Sequence, residues 1–375
     1  MWIKHCCVAL MCLFAQAVQA SEIVVAQIAD YSASRAPLGA ALKAGAEMVF
    51  AKVNAAGGVG GRKIRFVTRD DQYKPEETVR LLEKVLAEQK PALILGVLGT
   101  ANTGAVLKAG ILERAHVPLI APYTGADSLR TPVNPWVFHV RASYAEEVER
   151  IVKHYATLGL TKLAILHEDD PFGQFIYSAF DKAAAKYPFA STTRLTIARG
   201  STDMTAAIAE LKQANVQGIV IGTAGQPTAA FIRQLGLAKL SAFRYALSVN
   251  DTASIIAAAG LAHAHGFGQV QVMPDPTSGC KLQICRTFLA DYQHYGDKAV
   301  PPSPSMMEGY VAARLAVAAL ERTAGSPDGQ AVQESISRTG RFEFGGFELD
   351  FSNGKRAGSQ YTDLGMISRS GRMMY

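Results

Sequence analysis

The chain has 375 residues, 49% of them hydrophobic and 19% charged, and 38 Lys and Arg against 32 Asp and Glu give a net charge of +6. That length is enough for two ordinary domains, and this composition, with 33 glycines and 16 prolines, excludes a disordered tail, a collagen-like repeat and a coiled coil. No stretch after residue 20 approaches the ~20 uninterrupted apolar residues of a membrane span, and five cysteines are too sparse for a small disulfide-built fold.

Residues 1–20 read MWIKHCCVALMCLFAQAVQA. Lys4 supplies a positive start, the run from Cys6 to Ala17 is apolar except for Gln16, and Val18-Gln19-Ala20 places small residues where a signal peptidase inspects. This predicts a secretory signal peptide cleaved before Ser21 rather than a buried N-terminal strand or helix. Cys12 follows Met11 instead of a small residue, so no lipoprotein signal is expected. Cleavage would remove three cysteines and Lys4, leaving Cys280, Cys285 and a net charge of +5. The basic residues are scattered, as Arg62, Lys63, Arg65 and Arg69 are around Asp70 and Asp71. Without an aromatic-basic stripe, no nucleic-acid partner is expected.

Strand and helix patterns then alternate. Strands are predicted at Ile23–Ala29, Lys63–Arg69, Ala92–Leu98, Val117–Ala121 and Pro135–Val140. Helices are predicted between them at Pro37–Asn54, ended by Gly57 and Gly58, at Pro75–Glu88 and at Ala101–Arg114. The pattern restarts with helix Ala145–Leu158. Strands Lys162–His167, Thr192–Ile197, Gly218–Ile221 and Arg244–Ser248 follow, with helices Phe172–Lys186, Thr202–Gln213 and Pro227–Leu235 between them. Two runs of β-α units predict two doubly wound domains with largely parallel sheets. The last third breaks the alternation: strand Phe267–Val272, helices Leu282–His294 and Met306–Arg322, then an antiparallel addition at Phe342–Phe351 and Tyr361–Ser368 that returns to both lobes.

Catalytic motifs are missing: there is no GxSxG, HExxH, P-loop or strand-helix GxGxxG. His263 and His265 would share one side of a strand if extended, but no nearby acid or Cys completes a metal set. Asp70-Asp71 and Asp169-Asp170 follow strand ends and read as turn or cap residues. Cys280 and Cys285 are five positions apart. One helix would hold them too far apart to bridge, whereas Pro276 and Gly279 favour a loop, so the sequence leaves both the disulfide and the free pair open.

Two strand-to-helix junctions carry binding chemistry: Leu98-Gly99-Thr100-Ala101-Asn102-Thr103 and Ala121-Pro122-Tyr123-Thr124-Gly125-Ala126. Small and hydroxyl residues at a helix start cap it and leave amides that attract a carboxylate, and in an open α/β sheet such junctions share the carboxyl edge where ligands bind.

On GAALKAGAEMVFAKVNAAGGVGGRKIRFVTRDDQYKPEETV (39–79), ILGVLGTANTGAV (94–106), VPLIAPYTGADSLR (117–130), KLAILHEDDPFGQ (162–174) and FIRQLGL (231–237), the chain resembles the type I periplasmic solute-binding proteins of ABC transporters, in the Leu/Ile/Val-binding branch. The resemblance implies an α/β fold of two doubly wound lobes joined by a three-crossover hinge near Arg141, Gln271 and Phe342. One lobe would comprise 21–140 plus 271–342 and the other 141–270 plus 343–375. It implies ligand-binding residues at Thr100, Ala101, Asn102, Tyr123, Thr124 and Gly125 for the ligand's carboxylate and amino groups. Phe172 would be an aromatic wall, and Ala224, Ser248 and Asn250 would also be ligand-binding. Leu38 and Ala224 fall where amino-acid binders of the branch carry aromatics. Ser248-Val249-Asn250-Asp251 replaces an acidic residue that meets the ligand's ammonium, a loss that only a register shift of Asp251 would repair. Arg35 reads either as a solvated loop arginine or as the partner of a second anionic group.

The implied function is a periplasmic receptor that captures a small carboxylate-bearing solute by cleft closure and delivers it to the membrane permease of an ABC importer. The expected protein is a monomer with no cofactor, metal or enzymatic step. Two rivals are a periplasmic sensor partnering a membrane signalling protein, and a secreted hydrolase, against which the missing nucleophile-base pair argues.

Overall fold

The computed structural model describes residues 22–323 and 327–375, so the expected signal peptide lies outside the described residues. The first lobe opens with β1 (Ile23–Ala29), α1 (Ala36–Ala55), β2 (Ile64–Asp70), α2 (Pro75–Gln89), β3 (Leu93–Leu95), α3 (Thr100–Lys108), α4 (Ile111–Ala115), β4 (Leu119–Ile120) and β5 (Val137–Phe138). Its strands form one parallel sheet in the order β2-β1-β3-β4-β5. The second lobe follows with α5 (Tyr144–Thr157), β6 (Lys162–Glu168), α6 (Pro171–Ala184), β7 (Ser191–Ile197), α7 (Thr205–Ala214), β8 (Gly218–Gly222), α8 (Gln226–Leu237), β9 (Phe243–Ala246), α9 (Thr252–Ala259), α10 (Leu261–Ala264) and β10 (Phe267–Gln271).

The last third supplies α11 (Gln283–Tyr295), α12 (Pro304–Glu321), α13 (Gly329–Thr339), a hairpin of β11 (Arg341–Glu343) and β12 (Glu348–Asp350), and β13 (Asp363–Ile367) with β14 (Met373–Met374). The second sheet runs β14-β13-β10-β9-β8-β6-β7. It is parallel from β10 to β7, while β13 pairs antiparallel with β10 and β14 with β13.

Side chains fix the helix starts. Ser143 and Glu146 close a reciprocal capping box on α5, with Glu146 N donating to Ser143 Oγ at 3.2 Å and Ser143 N to Glu146 Oε2 at 2.7 Å. Asp170 accepts from Gly173 N at 2.8 Å ahead of Pro171 on α6. Asp71 likewise stays in a turn, accepting from Tyr73 N at 2.9 Å and Thr78 Oγ1 at 2.7 Å.

In the first lobe, one face of the sheet buries Ile23, Val25 and Leu93 against α1, α11 and α12, and the other buries Ala26, Ile28 and Ile94 against α2, α3 and α4. α1 and α12 meet at two glycines. A Cβ on Gly45 would stand 2.1 Å from Met306 O, and one on Gly309 2.1 Å from Leu42 O, so only hydrogen lets these backbones approach.

Two expectations change, and two readings that the sequence left open are decided. The single helix predicted over 101–114 breaks at Gly110, whose φ of 60° takes it out of the helical region, giving α3 and α4. α9, α10 and α13 had no clear periodic signal, and His263 lies on α10 rather than on a strand. Cys280 and Cys285 are bonded, their Cα atoms 6.1 Å apart, because Cys280 sits in the loop and Cys285 in the first turn of α11.

The second change concerns the third crossover, which does not fall near Phe342. Phe342, Phe344, Phe347, Leu349 and Phe351 bury into the first-lobe core, and Phe351 meets Phe138 at 5.4 Å between ring centroids. Backbone bonds from His139 N to Arg356 O and from Gly358 N to His139 O, both 2.8 Å, keep the chain with that lobe until it enters β13. The alternating aromatics of 342–351 need a buried face, and the first lobe provides it.

Candidate functional site

Segments that follow eight strands of the two sheets line one cleft. After β1, Asp30 folds the loop back by accepting from Ser32 N at 3.0 Å, Ala33 N at 2.6 Å and Arg35 N at 2.7 Å, which delivers Arg35 to the cleft. After β2, Gln72 and Tyr73 both take left-handed φ angles, 53° and 61°, and the Asp71 carboxylate holds the Tyr73 amide. After β3, Gly99 has a φ of 106°, and a Cβ there would lie 2.6 Å from the Tyr73 ring, so glycine is required. No side chain caps the first turn of α3, and Thr100 Oγ1 meets Thr124 Oγ1 at 2.8 Å.

These loops enclose a small cavity whose walls come from both lobes: Leu38, Tyr73 and Tyr123 from the first, Phe172, Ala224 and Val249 from the second. Tyr144 packs edge-on to Phe172 at 5.3 Å between centroids. The lobes are closed on one another so tightly that the cavity holds about 20 Å³, the scale of one water. A larger groove of about 680 Å³ opens elsewhere, lined by Asp127, Arg130, Glu348 and Lys355. Its charges are of both signs, whereas the smaller cleft is walled mostly by apolar and aromatic side chains from both lobes, so that cleft is the better receptor for a small solute.

An ion pair crosses the cleft. Arg35, 5% exposed, donates to Ala224 O and reaches Glu168 Oε1 at 3.2 Å. Glu168 is fully buried and also accepts from Gly200 N at 2.9 Å and Ala224 N at 3.4 Å. Burial works against the Arg35 charge, but Tyr73 and Glu168 outweigh it and hold the guanidinium above its usual range. Arg35 lies 5.3 Å and Arg199 5.0 Å from the Tyr73 ring centre, and Arg199 also pairs with Asp170 at 3.5 Å.

Beneath Tyr123 lies a second buried charge cluster. Arg141, on the segment between β5 and α5, sits 4.3 Å from the Tyr123 ring centre. It donates to Ser248 Oγ and faces Glu308 at 3.7 Å and Glu147 at 4.0 Å. Glu147 accepts from Ser248 N at 2.7 Å and Ser248 Oγ at 3.0 Å. Burial pushes the Glu147 carboxyl up to about 7 against the pull of Arg141, and pushes Glu308 up as well.

Of the residues singled out from sequence, Thr100, Tyr123, Phe172 and Ala224 line the cavity. Thr124 stands behind Thr100, and Ala101 follows it in the first turn of α3. Asn102 faces away, donating to Thr78 Oγ1 at 2.8 Å and Asp71 Oδ2 at 3.2 Å, and so pins α3 to α2. Gly125 is a packing position, where a Cβ would lie 2.6 Å from Tyr144. Ser248 belongs to the Arg141 cluster. Asn250 accepts from Gly225 N at 3.0 Å and donates to Thr223 O at 3.1 Å, shaping the loop that carries Ala224. Asp251 does not shift into the cleft: it caps α9 by accepting from Ser254 N at 2.7 Å.

Sequence reasoning missed Tyr73, Leu98, Tyr144 and Val249 as lining residues and Glu168 as the partner of Arg35. The signal for Glu168 was its place at the end of a buried strand, obscured by the two aspartates after it.

Residues 22–371 match the family model for periplasmic binding proteins. Leu/Ile/Val-binding protein homolog 1 of Brucella abortus is 26% identical over 316 residues, which cover 81% of this chain and 79% of the relative. A substrate-binding periplasmic protein from Ralstonia solanacearum has a similar structure, with a TM-score of 0.88 at 32% identity over 94% of this chain and 99% of that one. A branched-chain amino acid ABC transporter protein from Thermus thermophilus with bound valine has a TM-score of 0.83 at 21% identity over 95% of each chain, a likeness of fold. The chain belongs to the periplasmic binding protein family, whose members are solute-binding proteins rather than enzymes.

Proposed function

We propose that this periplasmic binding protein is the solute receptor of an ABC importer. It would capture a small carboxylate-bearing solute, an amino acid or an aromatic or aliphatic acid, and present its closed form to a membrane permease. The observation that carries this reading is the cavity between the carboxyl edges of two parallel sheets, walled from both lobes. A solute that touches both walls does so only when the lobes meet, so it favours the closed form by its differential affinity. The uncapped first turn of α3 and the Thr100–Thr124 hydroxyls are donors suited to a carboxylate. Tyr123, Tyr144 and Phe172 suit an apolar body. A solute needs more room than about 20 Å³, so the lobes part further to hold it. The name of the Brucella relative and the valine in the Thermus protein keep amino acids within the class. The working form is a monomer in the periplasm, exported by residues 1–20.

Thermal denaturation with a panel of amino acids and organic acids tests the reading. A true ligand at 100 times its Kd adds about 2.7 kcal/mol of stability and raises Tm. Thr100→Val is expected to weaken that ligand about tenfold while the protein stays folded. A panel in which no acid or amino acid moves Tm overturns the receptor reading.

A further inference from the structure

The receptor reading leaves the chemical class of the acid undivided. We propose that Arg35 is a built-in cation that makes the cleft select carboxylates lacking an α-ammonium, because it already occupies the carboxylate, Glu168, that such an ammonium would need. The proposal rests on the receptor reading and narrows it.

Among the described residues, the charged side chain lining the cavity is Arg35, and no carboxylate lines it. Glu168 stands just behind, fully buried, with both oxygens engaged: Oε1 by Arg35 and Ala224 N, Oε2 by Gly200 N. The two other acids beside the second lobe's ligand loops are committed as well: Asp170 pairs with Arg199 and caps α6 by accepting from Gly173 N, and Asp251 caps the first turn of α9. Two tyrosine faces, an alternative seat for an ammonium, are taken too. Tyr73 has Arg35 and Arg199 over it, and Tyr123 has Arg141. An ammonium entering this desolvated space would meet a guanidinium and find no anion.

A carboxylate meets the opposite situation. Arg35 carries five N–H donors, of which Nη1 and Nη2 each give one to Ala224 O and Glu168. Others of the fork, the α3 amides and the Thr100 hydroxyl can all serve the acid. In chemical terms, Arg35 stands in for the ammonium of an amino acid, and the remaining ligand is the des-amino acid.

The test is isothermal titration of the mature protein at pH 7 with matched pairs that differ only by the ammonium: 3-phenylpropanoate against phenylalanine, and 4-methylpentanoate against leucine. The wild type is expected to bind the des-amino member on the order of 100-fold more tightly, the scale of a desolvated like-charge contact. Arg35→Met, which frees Glu168, is expected to shrink that gap to about tenfold or less. Equal or tighter binding of the amino acid by the wild type overturns the proposal, whether or not the variant folds. So does a folded Arg35→Met protein, checked by circular dichroism, whose gap is unchanged. If neither these pairs nor any member of the wider panel binds, the receptor reading itself falls and takes this inference with it.

Discussion

Two buried arginines tie the lobes together, and they do it differently. Arg35 rides on the first lobe, and its partners Glu168 and Ala224 ride on the second. Those contacts exist only while the lobes meet, so the pair acts as a latch. Arg141 sits on the connecting segment itself, between Glu308 of the first lobe and Glu147 and Ser248 of the second. Because it rides on the connection and not on either lobe, it is expected to keep its partners as the lobes turn and to act as an axle. The charge balance differs as well. The latch matches one cation with one carboxylate whose oxygens also receive backbone amides. The axle sets one cation against two carboxylates, and Arg141 Nε, Arg141 Nη1 and Glu308 Oε1 have no hydrogen-bond partner. The same residue types thus make a reversible contact or a permanent one according to which elements carry them.

The largest test of this contrast is a pair of equivalent truncations. Arg141→Met leaves two carboxylates buried without their cation and is expected to cost about 3–5 kcal/mol in urea unfolding. Arg35→Met leaves buried Glu168 with two amide donors behind a cleft that admits water once the lobes part, and is expected to cost about 1–2 kcal/mol. Equal losses would erase the distinction between latch and axle.

A smaller effect comes from pH. The Glu147 carboxyl is raised to about 7 by burial, from an ordinary value of 4.5. Between those values the folded protein holds a proton there that the unfolded chain has released, so this group's contribution to stability falls as pH rises. Buried His139 is pushed well below 6.5, chiefly by desolvation, and acts in the opposite sense, costing stability as pH falls through that range. The difference between Glu147→Gln and wild type isolates the first term. From pH 5 to 8 the variant is expected to gain on wild type by an amount on the order of 1–3 kcal/mol, read from denaturant midpoints. A constant difference would show that Glu147 keeps an ordinary carboxylate range.

The smallest effect separates a nearby acid from both clusters. Asp251→Ala removes the cap of α9 and is expected to cost about 1 kcal/mol of stability without changing ligand affinity. A large affinity loss would return Asp251 to the cleft.

Periodicity made β1, β2, α1, α2 and α5 through β8 legible, because each has a buried face of regular spacing. It failed where local chemistry overrides the pattern: Gly110 cuts an amphipathic run in two, and the short α9 and α10 offer too few turns to read. Within the site, Thr100 and Tyr123 were legible because small and hydroxyl residues follow their strand ends, and Phe172 through the family resemblance alone. Arg35 was ambiguous because its burial depends on a strand end more than a hundred residues away, at Glu168. Asn102 and Asn250 look like ligand donors in sequence, yet their amides are spent on shaping the loops beside the cleft.

The order of elements along the chain has a consequence for biosynthesis. The strands β6 to β10 follow one another without interruption, so the second lobe's parallel sheet is complete once Gln271 has emerged. The first lobe begins earlier but must wait, because α1 is covered by α12, whose first residue is Pro304, and the glycine contacts between them form only then. The half that the ribosome starts first thus cannot close its core early, which keeps its apolar helix α1 uncovered until the final third of the nascent polypeptide arrives.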